Sequence, residues 1–270
     1  MTEVARGGFA LFARVDRAAR PGAGWIVLSN SLAADHRMWD PQISALTRTH
    51  NVLRYDTRGH GASGVPLPPY GFDDLVADAI AVMDAKGVGK AVFMGLSLGG
   101  MTGLGVALDH PQRVDALICC DARADAPPSY VKGWQDRLAA IESGGMAAIV
   151  PGTIERWFGA GFRASQPAIV ARFAEAIRTM PVDGYRGCAA ALMALDYRRH
   201  LGRISVPSLF IAGANDLAAP PESMRDMASA VPDARFALVP DASHIANVEN
   251  AAAFDTVVAE FLAGLTARRN

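Results

Sequence analysis

The sequence predicts an α/β fold: a mostly parallel, doubly wound sheet with a helical lid inserted after the sixth strand. Three observations carry this. Short, nearly continuous apolar runs recur along the 270 residues, and parallel strands covered on both faces require such unbroken hydrophobicity. Helical patterns separate those runs, and alternation of strand with helix winds an open sheet. The alternation then lapses between Asp121 and Pro207, where helical pieces stand alone.

The elements follow in order. Residues 3–20 form one or two antiparallel strands leading into the sheet. "WIVLSN" (25–30), "NVLRYD" (51–56), "AVFMG" (91–95), "ALICCD" (116–121), "SLFIAG" (208–213) and "FALVP" (236–240) read as buried strands. Helices are expected at 72–86, 98–109, 220–230 and 250–265. In the first of these, Leu75, Ala79, Val82 and Met83 recur at three- and four-residue spacing and share a face. Within 129–196, "WQDRLAAIESGGMAAIV", "IERWF" and "PAIVARFAEAIRTM" read as helices punctuated by glycine, proline and polar residues. The expected organisation is a core in two parts, 1–123 and 201–270, with the lid at 124–200. A lid in that position sits over the C-terminal edge of the sheet, where ligands bind in such folds. A separate helical module is the weaker reading, because the sheet is incomplete without the strands that follow.

Composition narrows the class. The formal net charge is -1 and no basic block occurs, which argues against nucleic acid as a partner. No apolar run approaches the roughly 18 residues of a membrane helix, and the N-terminal stretch lacks the apolar region of a signal peptide. Cys119, Cys120 and Cys188 make neither a disulfide framework nor a metal-ligand set. The expectation is a cytoplasmic enzyme acting on a small molecule, with no nucleic-acid or membrane partner and no metal. Nor is an organic cofactor implied: Gly99-Gly100 lacks the glycine order of a dinucleotide loop and the lysine of a phosphate loop. Monomer and homo-oligomer both remain open.

The chemistry starts at Gly95-Leu96-Ser97-Leu98-Gly99, which matches G-x-S-x-G between a strand and a helix. The turn is so sharp that the residues two before and two after the serine must lack side chains. Ser97 is then a strained nucleophile above the sheet, at the positive end of the following helix. A serine hydroxyl needs a base, and six histidines compete for the role. His50 and His110 border helix ends, His200 lies in a polar stretch, and His36 and His60 sit in loops after strands. His244 follows the last strand, and the order Ser…acid…His favours it. Asp216 follows the penultimate strand and is the favoured acid to orient the imidazole. Asp121, ending "ALICCD", is a genuine rival, whereas Asp241 lies too near His244 in the chain to face it. Amide donors for an oxyanion are expected from Leu98 and from Ser31 or Leu32 after "WIVLSN". Ser29-Asn30 precedes that position, and the Ser29 and Ser31 hydroxyls add potential hydrogen bonds there.

These residues together resemble a known family. "LSNSLAADHRMWDPQISAL", "VLRYDTRGHGAS", "GLSLGG", "AGANDLAAP" and "ASHIANVENAAAF" look like the 3-oxoadipate enol-lactonases of the α/β-hydrolase superfamily. The likeness covers about 1–120 and 200–265, plus "GGMAAIV" and "RWF" in the lid. It implies an α/β-hydrolase fold, Ser97, Asp216 and His244 as triad, and Ser31 and Leu98 as oxyanion donors. It also implies a small enol-lactone bearing a carboxylate, in the breakdown of aromatic compounds. One stretch departs: "CDARADAPPSY" stands where the family tends to show an Asn-Thr-Ala type sequence. A carboxylate substrate calls for a cation, for which Arg123 and Lys132 at the lid entrance are candidates. Trp134, Trp157 and Met193 are candidates for the pocket roof, with ordinary lid packing as the alternative. Rival functions are a general carboxylesterase or perhydrolase, a carbon–carbon bond hydrolase, and a hydrolase-fold ligand receptor with slow turnover.

Overall fold

Two short strands, β1 (Thr2–Arg6) and β2 (Phe9–Asp16), form an antiparallel hairpin that opens the sheet. The computed structural model describes residues 2–267, so the outermost ends of the two core segments, at 1 and 268–270, lie outside the described residues. β3 (Gly24–Ser29) follows, then α1 (Asp40–Leu46), β4 (His50–Tyr55), α2 (Phe72–Ala85), β5 (Ala91–Leu96), α3 (Leu98–Asp109) and β6 (Val114–Cys120). Five helices come next: α4 (Pro128–Gly144), α5 (Val150–Trp157), α6 (Ala160–Ser165), α7 (Pro167–Thr179) and α8 (Val182–Met193). The chain then returns through β7 (Ser208–Gly213), α9 (Pro221–Ser229), β8 (Ala234–Val239), α10 (Ala246–Glu249) and α11 (Ala251–Ala267).

The eight strands lie in the order β1-β2-β4-β3-β5-β6-β7-β8. β2 pairs antiparallel with β4, and every pairing from β4 through β8 is parallel. Every residue of β5 and β7 is buried, as helices on both faces demand. β8 departs from its expected burial. It pairs only with β7, and Leu238 is 42% exposed, because an edge strand has one neighbour instead of two. α1 escaped the sequence pattern. It is one short, proline-started segment laid against β4 and α11, too brief to display a period.

Parallel pairing puts the C-terminal ends of β3, β5, β6, β7 and β8 on one edge of the sheet. The five-helix insertion leaves and rejoins the core there. Asp125 and Asp196 form an isolated bridge, and the Tyr197 N–H donates to the Ala124 carbonyl at 2.7 Å, so the two ends of the insertion meet. Among the described residues no helix is long and apolar enough to cross a membrane.

Candidate active site

β5 ends at Leu96 and α3 begins at Leu98, leaving Ser97 alone to make the turn. Its φ of 56° and ψ of -116° are strained for a residue with a Cβ, a conformation that costs on the order of 1–3 kcal/mol. Neighbouring bonds enforce it: the Ser97 N–H donates to the Cys120 carbonyl at 2.8 Å, and the Met101 N–H donates to the Ser97 carbonyl at 2.9 Å. The flanking glycines are steric necessities. A Cβ on Gly95 would lie 2.1 Å from the Gly99 carbonyl oxygen, and one on Gly99 would lie 2.1 Å from that of Ser29. As first residue of α3, Leu98 has an N–H with no intrahelical acceptor.

His244 stands in the loop between β8 and α10, and Asp216 in the loop after β7. His244 Nδ1 lies 2.8 Å from Asp216 Oδ2, both side chains being nearly sealed from solvent. Asp216 Oδ1 accepts the Ala218 N–H at 2.7 Å. Burial alone would push the Asp216 carboxyl up, but the His244 imidazole and the Ala218 and Ala219 amides outweigh it and hold it below the usual carboxylate value. Ser97 and His244 line one cleft of about 280 Å³ under the inserted helices, and no other histidine does. His36 Nδ1 is bound to Asp56, and His60 is enclosed between the Ala33 N–H and the Arg58 carbonyl. Asp121 is bonded to the Gly213 N–H rather than to an imidazole, and Asp241 is exposed.

Ser31 and Leu32 also line the cleft. The Ser31 N–H is directed at Met38 Sδ, 3.3 Å away, and a thioether is a weak acceptor that a charged oxygen can displace. The Ser29 hydroxyl does not serve the cleft. It bonds Tyr55 Oη at 2.8 Å, while Asn30 Nδ2 donates to the Tyr55 carbonyl, so this pair ties β3 to β4.

Of the residues expected to meet substrate, Arg123, Trp134 and Trp157 line the cleft, and Lys132 and Met193 do not. Lys132 projects into solvent and pairs with Asp136 one turn along α4, because positions 132 and 136 share the outward face. Met193 closes α8 and packs on the core from outside the cleft. Two cations absent from the sequence reading take the place of Lys132. Arg137 lies 4.3 Å above the Trp134 ring, and Arg156 donates to Thr153 Oγ1 at 3.2 Å. Neither has an acidic partner among the described residues. Burial and the charge of Arg137 together press the Arg156 guanidinium below its usual value. Arg123 lies over the Tyr130 ring, and its buried Nε finds no acceptor. Three guanidinium groups therefore face a cleft whose aromatic lining is Trp134, Trp157, Tyr130 and Tyr185. The signal in the sequence was faint: Arg137 follows Trp134 at helical spacing, and Arg156 adjoins Trp157.

The insertion is also tied to the His244 loop. The Ile245 N–H donates to the Trp157 carbonyl at 3.2 Å, and Glu249 accepts the Gly159 N–H at 2.7 Å and the Ser243 N–H at 2.6 Å. Asp35, His36 and Asp56 cluster closely enough to suit a metal ion. Their donor atoms are already engaged, by Arg37 on Asp35 and by the His36 and Ala62 amides on Asp56.

A family model for the alpha/beta hydrolase fold matches residues 24–251. The protein named 3-oxoadipate enol-lactonase 2 of Acinetobacter baylyi is 34% identical over 250 residues, covering 93% of this chain and 90% of that one. The crystal structure of the enol-lactonase from Burkholderia xenovorans superposes with a TM-score of 0.92 at 38% identity, over 97% of this chain and 100% of that one. A thermophilic esterase from Thermogutta terrifontis, solved with malate bound, gives a TM-score of 0.90 at 24% identity over 98% of each chain, a likeness of fold.

Proposed function

The chain belongs to the alpha/beta hydrolase family, and from that premise we propose that it is a serine hydrolase opening a small carboxylate-bearing lactone, with 3-oxoadipate enol-lactone as the substrate. The observation that carries the proposal is the strained Ser97 in one cleft with the His244–Asp216 pair. His244 Nε2 takes the Ser97 proton as Oγ attacks the lactone carbonyl. The oxyanion rests on the Leu98 and Ser31 amides, the latter exchanging Met38 Sδ for a charged acceptor. Collapse breaks the ring C–O bond, and His244 returns its proton to the departing enol oxygen, which stays tethered to the acyl group. Water, deprotonated by His244, then cleaves the acyl-enzyme, and the enol tautomerises to the 3-oxo acid.

The arginines supply the reason for a carboxylate. Arg137 and Arg156 are half-buried and have no acidic partner among the described residues, so an anionic substrate relieves their repulsion. Residues 124–200 act as the lid that carries those cations over Ser97, with Trp134 and Trp157 as its apolar lining. The three free, buried cysteines suit a reducing, cytoplasmic setting. A fluorophosphonate should label the parent and leave Ser97→Ala untouched. A panel of lactones and esters should then rank the enol-lactone first. Persistent labelling of Ser97→Ala defeats the triad, and a preference for uncharged esters defeats the substrate assignment.

A further inference from the structure

The mechanism above leaves Asp121 unused, although it is fully buried where β6 ends. Its backbone stands at a φ of 45°, in the left-handed region, and its N–H donates to the Ile211 carbonyl at 2.8 Å. Oδ1 accepts the Gly213 N–H at 2.7 Å, which turns the side chain toward the loop carrying Asp216. Oδ2 is buried and receives no N–H or O–H donor. Gly213 opens the turn that carries Asp216, whose N–H donates to the Gly213 carbonyl at 3.1 Å, so the unpartnered Oδ2 stands beside the Asp216 carboxyl, whose charge acts on it.

Two neighbouring carboxyl groups shielded from water do not both ionise. The distribution of partners decides which keeps the charge. Asp216 faces the His244 imidazole and the Ala218 N–H, whereas Asp121 has one amide and no cation. We propose that Asp121 is a positioning residue: a neutral carboxylic acid whose proton is donated to the Asp216 carboxylate, fixing the orientation that Asp216 presents to His244. This rests on the triad reading. The surroundings agree from every side. Burial, the Asp216 charge and the Glu249 charge from α10 hold the Asp121 carboxyl well above its usual value, and the Gly213 amide does not offset them. The adjacent Cys119 and Cys120 thiols on β6 are themselves pushed up by burial, and bring no positive charge. A carboxylate that accepts one more hydrogen bond is a weaker base, so Asp216 orients the imidazole without over-stabilising the imidazolium.

The test follows the pH dependence of the rate at which a fluorophosphonate labels Ser97. Asp121→Asn retains a donor for Asp216 and an acceptor for Gly213, and should keep the parent's profile. Asp121→Leu removes the donor, leaves Asp216 more basic, and should move the acid limb up by about one pH unit. A Leu variant whose limb coincides with the parent's overturns the proposal. Infrared spectra give a second reading if the Leu variant does not fold. At pH 8 the parent should show a protonated carboxyl C=O band that vanishes in Asp121→Asn, and its absence in the parent overturns the proposal. Failure of the triad is distinguishable: Ser97→Ala would still label, or Asp216→Asn would label at the parent's rate.

Discussion

Replacing Arg137 by methionine should separate charged from uncharged substrates. Arg137 and Arg156 face the cleft without an acidic partner among the described residues, and burial plus mutual repulsion already weighs on Arg156. A substrate carboxylate about 4 Å from a guanidinium at an effective dielectric near 20 gains about 4 kcal/mol. Desolvation and ordering offset much of that, leaving roughly 1.5–3 kcal/mol, the usual net value of a hydrogen bond to a charged group. The loss in kcat/KM should therefore be roughly ten- to hundredfold. The assay compares the p-nitrophenyl monoester of glutaric acid with p-nitrophenyl valerate, which matches its chain but lacks the carboxylate. Only the anionic ester should suffer in Arg137→Met, and added salt should erode the parent's preference while leaving the variant's rates level. Equal losses on both esters would show that Arg137 supports the cleft by packing on Trp134, and would refute the electrostatic argument.

Four further outcomes follow from the same geometry. Gly95→Ala drives a Cβ to 2.1 Å from the Gly99 carbonyl, so it should cost about 1–3 kcal/mol or more, read as a lower urea midpoint together with lost labelling of Ser97. Asp216→Asn should lower kcat by about four orders of magnitude at constant fold, checked by stopped-time ester hydrolysis beside circular dichroism. Glu249→Gln keeps one acceptor but drops the charge that holds both the Ser243 and Gly159 amides; hydrogen exchange should quicken at both amides, and unchanged exchange would deny the clamp. His60 gives a stability profile. Its Nδ1–H donates to the Arg58 carbonyl, its Nε2 accepts the Ala33 N–H, and burial holds its pKa below 6.5. The neutral form is thus favoured by the fold, and its stabilisation is present above pH 6.5 and lost as pH falls through the lower folded value. The slope should reach about 1.4 kcal/mol per pH unit, and urea titrations of His60→Gln should show it flattened.

Much of the fold was legible because burial on two faces writes itself as unbroken apolar runs, as in β5 and β7. β8 read the same way, yet lies half-exposed at the edge, since strand order is set by long-range pairing and not by local pattern. The turn at Ser97 was legible for a steric reason: Gly95 and Gly99 have no alternative where the backbones of β3, β5 and α3 converge. The pairing of His244 with Asp216 followed from loop order. Lys132 misled because a cation on a helix looks the same whether it faces solvent or a cleft. Arg137, five positions on, points inward only because α4 presents Trp134 to the site. The nearness of Asp121 to Asp216 was illegible, because it depends on how β6 and β7 bring their ends together across 95 residues of chain.

The opening of an anionic lactone by Ser97 is the reaction proposed for this cleft. Its most direct measurement is the decay of 3-oxoadipate enol-lactone absorbance after addition of purified protein. The parent should turn the lactone over rapidly, the glutarate monoester should inhibit competitively, and Ser97→Ala should show no turnover. Hydrolysis of uncharged esters with the lactone untouched, or lactone turnover that survives Ser97→Ala, would contradict the proposal.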